Sequence, residues 1–329
     1  MKDNFNREIR YIRISLTELC NFRCRYCMPE EGICKKRHED MMTEEEMLSA
    51  VKVATRLGIN KIRLTGGEPL VKKNIVDIVS KIREIDGVDE ICLTTNGSYL
   101  SKYAKDLKTA GLDRINISLD TLDKDKFRYM TRIGNLDDTL EGIDAALKEN
   151  FKKVKINTVL IGGFNDDEIV DIASLTFKQN TDVRFIELMP MYDGGDFGKE
   201  AFVPYSIVID KIKEAYKGKY DDDKIIEKVS GDNSSVAKLY KISGAKACIG
   251  LISPVSNHFC AECNRIRLTA DGKLKPCLHS SCEISIKGLS EAEMVEKFRE
   301  AILSKPEKHD VLSYKSRSKA RRNMNEIGG

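Results

Sequence analysis

Three cysteines fall within eight residues, Cys20-Asn-Phe-Arg-Cys24-Arg-Tyr-Cys27. Thiolates are soft ligands, and three on one short loop can hold three corners of a four-iron cluster. If no distant cysteine completes the set, one iron stays open to bind and activate a small molecule. A second set, Cys260, Cys263 and Cys277, has thirteen residues before its last member. It too is one ligand short. Structural zinc is the competing use of such sets, because zinc usually takes four ligands from paired cysteines and histidines. At the second set His258, His279 or Cys282 can supply the fourth.

The rest of the chain must position these loops. Its 329 residues suffice for one large core and a smaller second part, since single cores rarely exceed roughly 250–300 residues. The 55 basic and 52 acidic residues leave a formal charge of +3, which gives no general attraction to nucleic acid or membrane. Any anion binding must be local. No apolar run approaches the roughly 20 residues of a bilayer span and no signal peptide opens the sequence, so a cytoplasmic protein is expected. Ten cysteines in a reducing compartment point to metal or iron-sulfur ligation rather than disulfides.

From Ile9 to about Glu187 short β-branched runs alternate with longer amphipathic stretches, the βα rhythm of a parallel sheet covered by helices. Strands are predicted over 11–16, 61–65, 90–95, 114–119, 153–160 and 183–188. Helices are predicted over 43–57, with Thr43 and Glu46 as a capping box, and over 75–85. Six such units fit either an incomplete TIM-like α/β barrel or a doubly wound sheet, which periodicity alone does not separate. Arg63, Thr94, Ser118 and Glu187 lie at or near strand carboxyl ends, where both architectures gather catalytic groups. After Met191-Tyr-Asp-Gly-Gly the rhythm stops, so residues 1–195 are expected to form the barrel and 196–329 a second domain. Strand-like runs over 224–228, 235–242 and 247–253, an Asp271-Gly272 hairpin over 265–274, a helix over 290–303 and a basic tail make up that second part.

A CxxxCxxC loop directly after a first strand, with Tyr26 before its last cysteine, resembles the signature of radical S-adenosylmethionine enzymes. In them the amino and carboxylate groups of S-adenosylmethionine chelate the open iron, and reductive cleavage yields a 5'-deoxyadenosyl radical. Gly66-Gly67-Glu68-Pro69 is by itself a β-to-α turn. Behind such a loop it resembles the segment that receives the methionine amino group through Gly67 and Glu68. Tyr26, Ser118 and Met189 match positions that contact the adenosyl portion in relatives.

The run from Phe259 through Cys260, Cys263, Arg265-Ile266-Arg267 and Cys277 to Leu278 resembles the second cluster motif of the molybdenum cofactor biosynthesis protein A family, the GTP 3',8-cyclases. The resemblance spans essentially the whole chain. It implies a partial (β/α)6 TIM-like barrel with a smaller C-terminal iron-sulfur domain, two 4Fe-4S clusters on Cys20, Cys24, Cys27 and Cys260, Cys263, Cys277, and S-adenosylmethionine as cosubstrate. The implied reaction converts GTP to (8S)-3',8-cyclo-7,8-dihydroguanosine 5'-triphosphate. Cyclic pyranopterin monophosphate synthase would act next, a reduced flavodoxin or ferredoxin-type protein would supply electrons, and a homodimer is compatible.

GTP is a dense anion and needs several guanidinium and ammonium groups at once. Arg13, Arg63, Thr94, Lys155, Arg265, Ile266 and Arg267 match the family's GTP-binding positions. Arg265 and Arg267 are two apart on a strand and share one face, leaving Ile266 and Leu268 for the core. The closing Gly328-Gly329 resembles the double glycine that enters the family's active site, and with Arg265 and Arg267 it is carried over as catalytic. No Walker loop is present. Two other readings stay open: a radical enzyme of the same fold acting on a peptide or another small molecule, and a non-catalytic zinc protein. Cys34, Cys92, Cys248 and Cys282 receive no role, and the basic stretch Lys315 to Arg322 is either solvated or steers the substrate.

Overall fold

A computed structural model describes residues 1–33, 36–191, 197–230, 236–310 and 318–328. Six strands, β1 (Tyr11–Ser15), β2 (Lys61–Thr65), β3 (Glu90–Thr95), β4 (Arg114–Ser118), β5 (Lys153–Leu160) and β6 (Thr181–Glu187), lie side by side in chain order. All are parallel. Helices α1 (Glu44–Arg56), α2 (Ile75–Arg83), α3 (Leu100–Thr109), α4 (Lys124–Thr131), α5 (Leu136–Lys148) and α6 (Ile169–Lys178) fill the crossovers. A doubly wound sheet reverses its strand order at a switch point. Here the order never reverses, so the sheet winds in one direction as a barrel does.

Local chemistry explains the element ends. Thr43 and Glu46 form the expected capping box on α1, whose Met47, Ala50, Val51 and Ala54 recur at helical spacing and are buried. β6 starts two residues before its apolar run, because Thr181 and Asp182 already pair with β5. Their polar side chains hid the strand. α2 ends at Arg83, short of Ile85, where the chain tightens toward Gly87, which has φ +87°.

The strands after residue 196 join the same sheet at both edges. Following α7 (Tyr205–Tyr216), β7 (Ile226–Val229), β8 (Lys238–Ile242) and β9 (Ile249–Ile252) extend it beyond β6, with β9 parallel to β6. On the other side β10 (Arg265–Leu268) lies parallel to β1, followed by β11 (Lys273–Lys275) and β12 (Ile284–Ser285). The turn between β10 and β11 is the expected Asp271-Gly272, with Gly272 at φ +76° and the Thr269 hydroxyl donating to Asp271 at 2.6 Å. Helices α8 (Glu291–Leu303) and α9 (Met324–Ile327) complete the described chain. Among the described residues no helix is long and apolar enough to cross a membrane.

Register carries the consequence for function. Arg267 of β10, Arg13 of β1 and Arg63 of β2 are directly aligned across three strands, and Arg265, Tyr11 and Lys61 form the next row. Ile266 and Leu268 point the other way and are 1% and 0% exposed in the main core. Leu268→Ala should therefore cost about 2–5 kcal/mol, the range for a truncated core leucine. Urea unfolding of the two proteins checks this, and the loss should also loosen the Arg267 row that Leu268 holds in place.

Candidate active site

Alternate side chains of β1 to β6 and of β10 face one cavity of about 390 Å³. Cys20, Cys24 and Cys27 line it, and so do Cys260, Cys263 and Cys277. The two thiol sets, separated by most of the sequence, thus open on the same space. The nine described cysteines are all free thiols.

The first set rides on the loop after β1, at the carboxyl end of the sheet. Its turn is closed by the Cys27 and Met28 N–H groups donating to the Cys24 carbonyl, and the Phe22 N–H donates to Cys20 Sγ at 3.3 Å. Burial pushes the Cys20 thiol up to about 11 and the Cys27 thiol up to about 12. The Gly66-Gly67 turn lies hard against this loop. A Cβ on Gly67 would come within 2.3 Å of the Leu19 carbonyl, so only glycine permits the approach. Gly67 and Glu68 also donate their N–H groups to Thr17 O and Leu19 O, tying the β2 turn to the residues that precede Cys20.

Glu68 is 1% exposed and lines the cavity. Its carboxylate accepts the Leu70 and Asn96 N–H groups and the Thr95 hydroxyl, at 2.9, 2.7 and 2.7 Å. No cation is among those partners, and burial raises its pKa to about 7 against the pull of those donors. Tyr26 donates its hydroxyl to Asp120 at 2.8 Å, and burial lifts Asp120 to about 6. Ser118 and Met189 line the same space.

The remaining walls are basic. Among the described residues nine Arg and Lys side chains line the cavity against two carboxylates, Glu68 and Asp120. Arg63 donates to Thr94 at 3.1 Å and to the Tyr11 hydroxyl. Arg267 donates to the carbonyls of Ile327 and Gly328, so the C-terminal segment ends on this cation. Burial, then the neighbouring cations, holds Arg13 well below its usual value and brings Lys155 down to about 7 and Arg267 to about 10. These are groups whose charge lacks enough compensation. At the second thiol set burial works against ionisation of Cys263, but Lys305 and Arg265 outweigh it and lower the pKa.

The structure therefore brings together Arg13, Arg63, Thr94, Lys155, Arg265 and Arg267 with both thiol sets and with Tyr26, Gly67, Glu68, Ser118 and Met189. Ile266 faces the core, leaving only its backbone for a ligand. Gly329, Cys34 and residues 315–317 of the basic tail lie outside the described residues. Glu187 is not in the cavity wall. It accepts the N–H groups of Val255 and Ser256, holding the stretch before the second thiol set. Cys92 is buried beside Glu90, Cys248 is half-buried and Cys282 is exposed.

Several wall residues had no individual signal in the sequence: Tyr11, Lys61, Arg114, Asn116, Asn157, Arg184 and Lys305. All but Arg184 and Lys305 share strand parity with an anticipated residue, which is the pattern that could have found them. Arg184 Nε and the Asn116 and Asn157 side-chain carbonyls are buried and lack protein partners.

Residues 14–176 match the Radical SAM superfamily, and residues 181–311 match Molybdenum Cofactor Synthesis C. A GTP 3',8-cyclase of Alkaliphilus oremlandii (strain OhILAs) is 48% identical over 332 residues, covering 100% of both chains. That of Peptoclostridium acidaminophilum is 48% identical over 330 residues, covering 99% of this chain and 98% of the relative. The chain belongs to the GTP 3',8-cyclase family. Among solved structures, native anSMEcpe with bound AdoMet superposes with a TM-score of 0.55 at 15% identity, over 92% of this chain and 82% of that one. Streptococcus suis SuiB gives 0.59 at 12% identity, over 83% and 61%. At these identities the likeness concerns the fold, a radical S-adenosylmethionine barrel.

The thiols suit the iron-sulfur clusters of that superfamily. Each set offers three sulfur ligands, and among the described residues none of them is in a disulfide. Near the second set His279 meets Ser318 at 3.1 Å and His258 meets His309 at 3.2 Å, each through Nδ1, so it is the family match that selects iron-sulfur clusters over zinc there.

The Gly67 contact and the burial of Glu68 each have a measurable outcome. Gly67→Ala should displace the Thr17–Leu19 backbone and lower the iron retained after anaerobic reconstitution, measured against wild type by metal and sulfide count. Glu68 has a folded pKa near 7, above its ordinary 4.5, so it stabilises the fold relative to its charged form below pH 4.5. That stability is lost as the pH rises through 7. In cluster-free protein the loss should be on the order of 3 kcal/mol between pH 4.5 and 7.5 and should disappear from the profile of Glu68→Gln, read by denaturant titration.

Proposed function

We propose that this protein is a GTP 3',8-cyclase, a radical S-adenosylmethionine enzyme that forms 3',8-cyclo-7,8-dihydro-GTP in molybdenum cofactor biosynthesis. The observation that carries the reading is one cavity shared by two three-thiol sets and walled by arginine and lysine. Cys20, Cys24 and Cys27 would hold the first cluster, and Cys260, Cys263 and Cys277 the second. Bound there, the clusters and S-adenosylmethionine supply the one-electron chemistry that removes a hydrogen atom from ribose C3'.

The chain's own residues do the rest. Glu68, with three donors and no cation among its partners, is suited to accept the cosubstrate's amino group, while Gly67 lets the ligand approach backbone. Tyr26, Ser118 and Met189 flank the adenosyl portion in this reading. Arg13, Arg63, Lys155, Arg265 and Arg267, with Thr94 and the Ile266 backbone, hold the triphosphate and guanine so that C3' and C8 meet in near-attack geometry. A polyanion would relieve the mutual repulsion of these cations, which is why they are tolerated side by side. The second thiol set would hold guanine from the other part of the wall. Gly328, whose carbonyl Arg267 holds, and the Gly329 that follows it would act on the reacting nucleotide.

The wider assignments belong to the same proposal. Residues 1–195 carry the first cluster, the cosubstrate and part of the GTP contacts, and 196–329 carry the second cluster, further GTP contacts and the Gly-Gly tail. A flavodoxin or ferredoxin-type protein supplies electrons, cyclic pyranopterin monophosphate synthase consumes the product, and two copies of the chain form a homodimer. Thiol sets kept free of disulfides suit a reducing compartment, in this reading the cytoplasm.

Anaerobically reconstituted protein given reductant, S-adenosylmethionine and GTP should yield deoxyadenosine together with a cyclised nucleotide, followed by chromatography and mass spectrometry. Deoxyadenosine formed regardless of GTP, with no nucleotide product, would sink the substrate assignment and favour the peptide or other small-molecule reading.

A further inference from the structure

Arg322 is the one described member of the basic tail stretch that is buried deeply among carboxylates. It is 8% exposed. Its guanidinium forks onto Asp271, at 3.1 Å to Oδ1 and 2.9 Å to Oδ2, and its other edge forks onto Glu283, at 2.7 Å to each oxygen. Glu18 lies 3.7 Å away. Lys36 bridges Glu18 and Asp271 at 2.5 and 3.1 Å, and the fully buried Lys275 reaches Glu283 at 3.1 Å. Three cations thus meet three carboxylates from the first cysteine loop, the β10–β11 turn and the residues before β12. Arg321, the adjacent cation, is exposed.

From Arg322 onward the chain passes beside the cavity, which Met324 lines. Asn323 caps α9, with its N–H donating to Glu326 at 2.8 Å. Asn325 is 1% exposed, its amide donates to the Glu18 carbonyl at 3.2 Å, and its backbone N–H is directed at Cys27. Ile327 packs with Met191 and Ala320, joined by Met324, Met189 and Leu278. Arg267 then receives the Ile327 and Gly328 carbonyls. Gly328 needs its positive φ of +71°, and a Cβ there would meet Thr65 at 2.6 Å.

α9 is one turn long and cannot hold itself in place. A bidentate guanidinium seated on the buried Asp271 and the half-buried Glu283 can, because such forks fix orientation and removing one partner leaves the others uncompensated. We propose that Arg322 is a positioning residue: it latches the C-terminal segment to Asp271 and Glu283 and so delivers Gly328 to Arg267 and the Asn325 backbone N–H to Cys27. The effect on catalysis rests on the assignment of Gly328 and Gly329 to the reaction. The latch itself does not.

The test uses the full chain with both clusters reconstituted, as wild type, Arg322→Gln, Arg322→Lys and the neighbouring control Arg321→Gln. Hydrogen exchange of residues 323–328 should be roughly tenfold or more faster in Arg322→Gln, with α1 exchanging as in wild type. At saturating GTP, cyclised nucleotide should form roughly tenfold or more slowly while KM for GTP changes little, since the loss is in delivery of the tail. Arg322→Lys, which keeps the charge but not the fork, should recover part of both, and Arg321→Gln should match wild type in both. Exchange at 323–328 within about twofold of wild type in Arg322→Gln would overturn the latch. Should Arg322→Gln fail to retain iron, Glu283→Gln removes one seat instead, and unchanged tail exchange there overturns the proposal equally. A wild-type protein that makes no cyclised nucleotide would defeat the cyclase assignment, while the exchange comparison still judges the latch.

Discussion

Like charges held at strand spacing set the terms for this molecule. Arg267, Arg13 and Arg63 sit in register on three adjacent strands, which lie about 4.8 Å apart in a sheet. Two unit charges at that separation repel by about 3 kcal/mol at an effective dielectric of about 20. An apolar row would pack better, so these positions are costly to the fold. Much of the surrounding architecture manages the cost: Tyr11 stacks between Lys61, Arg63 and Arg265, and the carboxylates Glu90 and Asp182 pair with Lys61, Arg114 and Lys153 at the periphery. The central row keeps its excess charge, which the triphosphate of the proposed substrate would neutralise.

The same sheet shows what a sequence can and cannot disclose. All six barrel strands were legible, because most set β-branched core residues at alternate positions, as Ile12 and Ile14 or Ile115 and Ile117 do, between polar residues on the other face. The cysteine sets and the double glycine were legible as motifs. The row of arginines was not. Arg13 and Arg267 could be named separately, but their alignment depends on β10 entering the sheet beside β1, a pairing that no local pattern encodes. Arg184 was hidden differently, as one charge in a chain one-third charged, and only its place opposite Asn157 on the neighbouring strand marks it as inward. Glu187 looked like a cleft residue and proved to be a brace, since a carboxylate at a strand end serves equally to accept loop N–H groups.

Anchoring by buried ions recurs around the second thiol set. Arg7 is fixed by Asp3 at 2.6 Å and donates to the carbonyls of Cys260, Pro306 and Glu307. Lys305, 4% exposed, bridges the carbonyls of Arg265 and Pro276. Both cations bind backbone on either side of the second thiol set. The loop there carries little regular structure of its own, and these charge-assisted bonds substitute for a ladder.

β1 is hydrogen-bonded on one side to β2 and on the other to β10. Tyr11 emerges early from the ribosome and Arg265 late, so nearly the entire polypeptide is synthesised before the strand beneath the first cysteine loop is covered. Until then β1 is a bare parallel edge, the kind of surface that recruits other chains. The loop carrying Cys20, Cys24 and Cys27 is open to the surroundings throughout that interval. Topology thus sets the order of enclosure: the first thiol set is present in the growing chain long before β10 can wall it in.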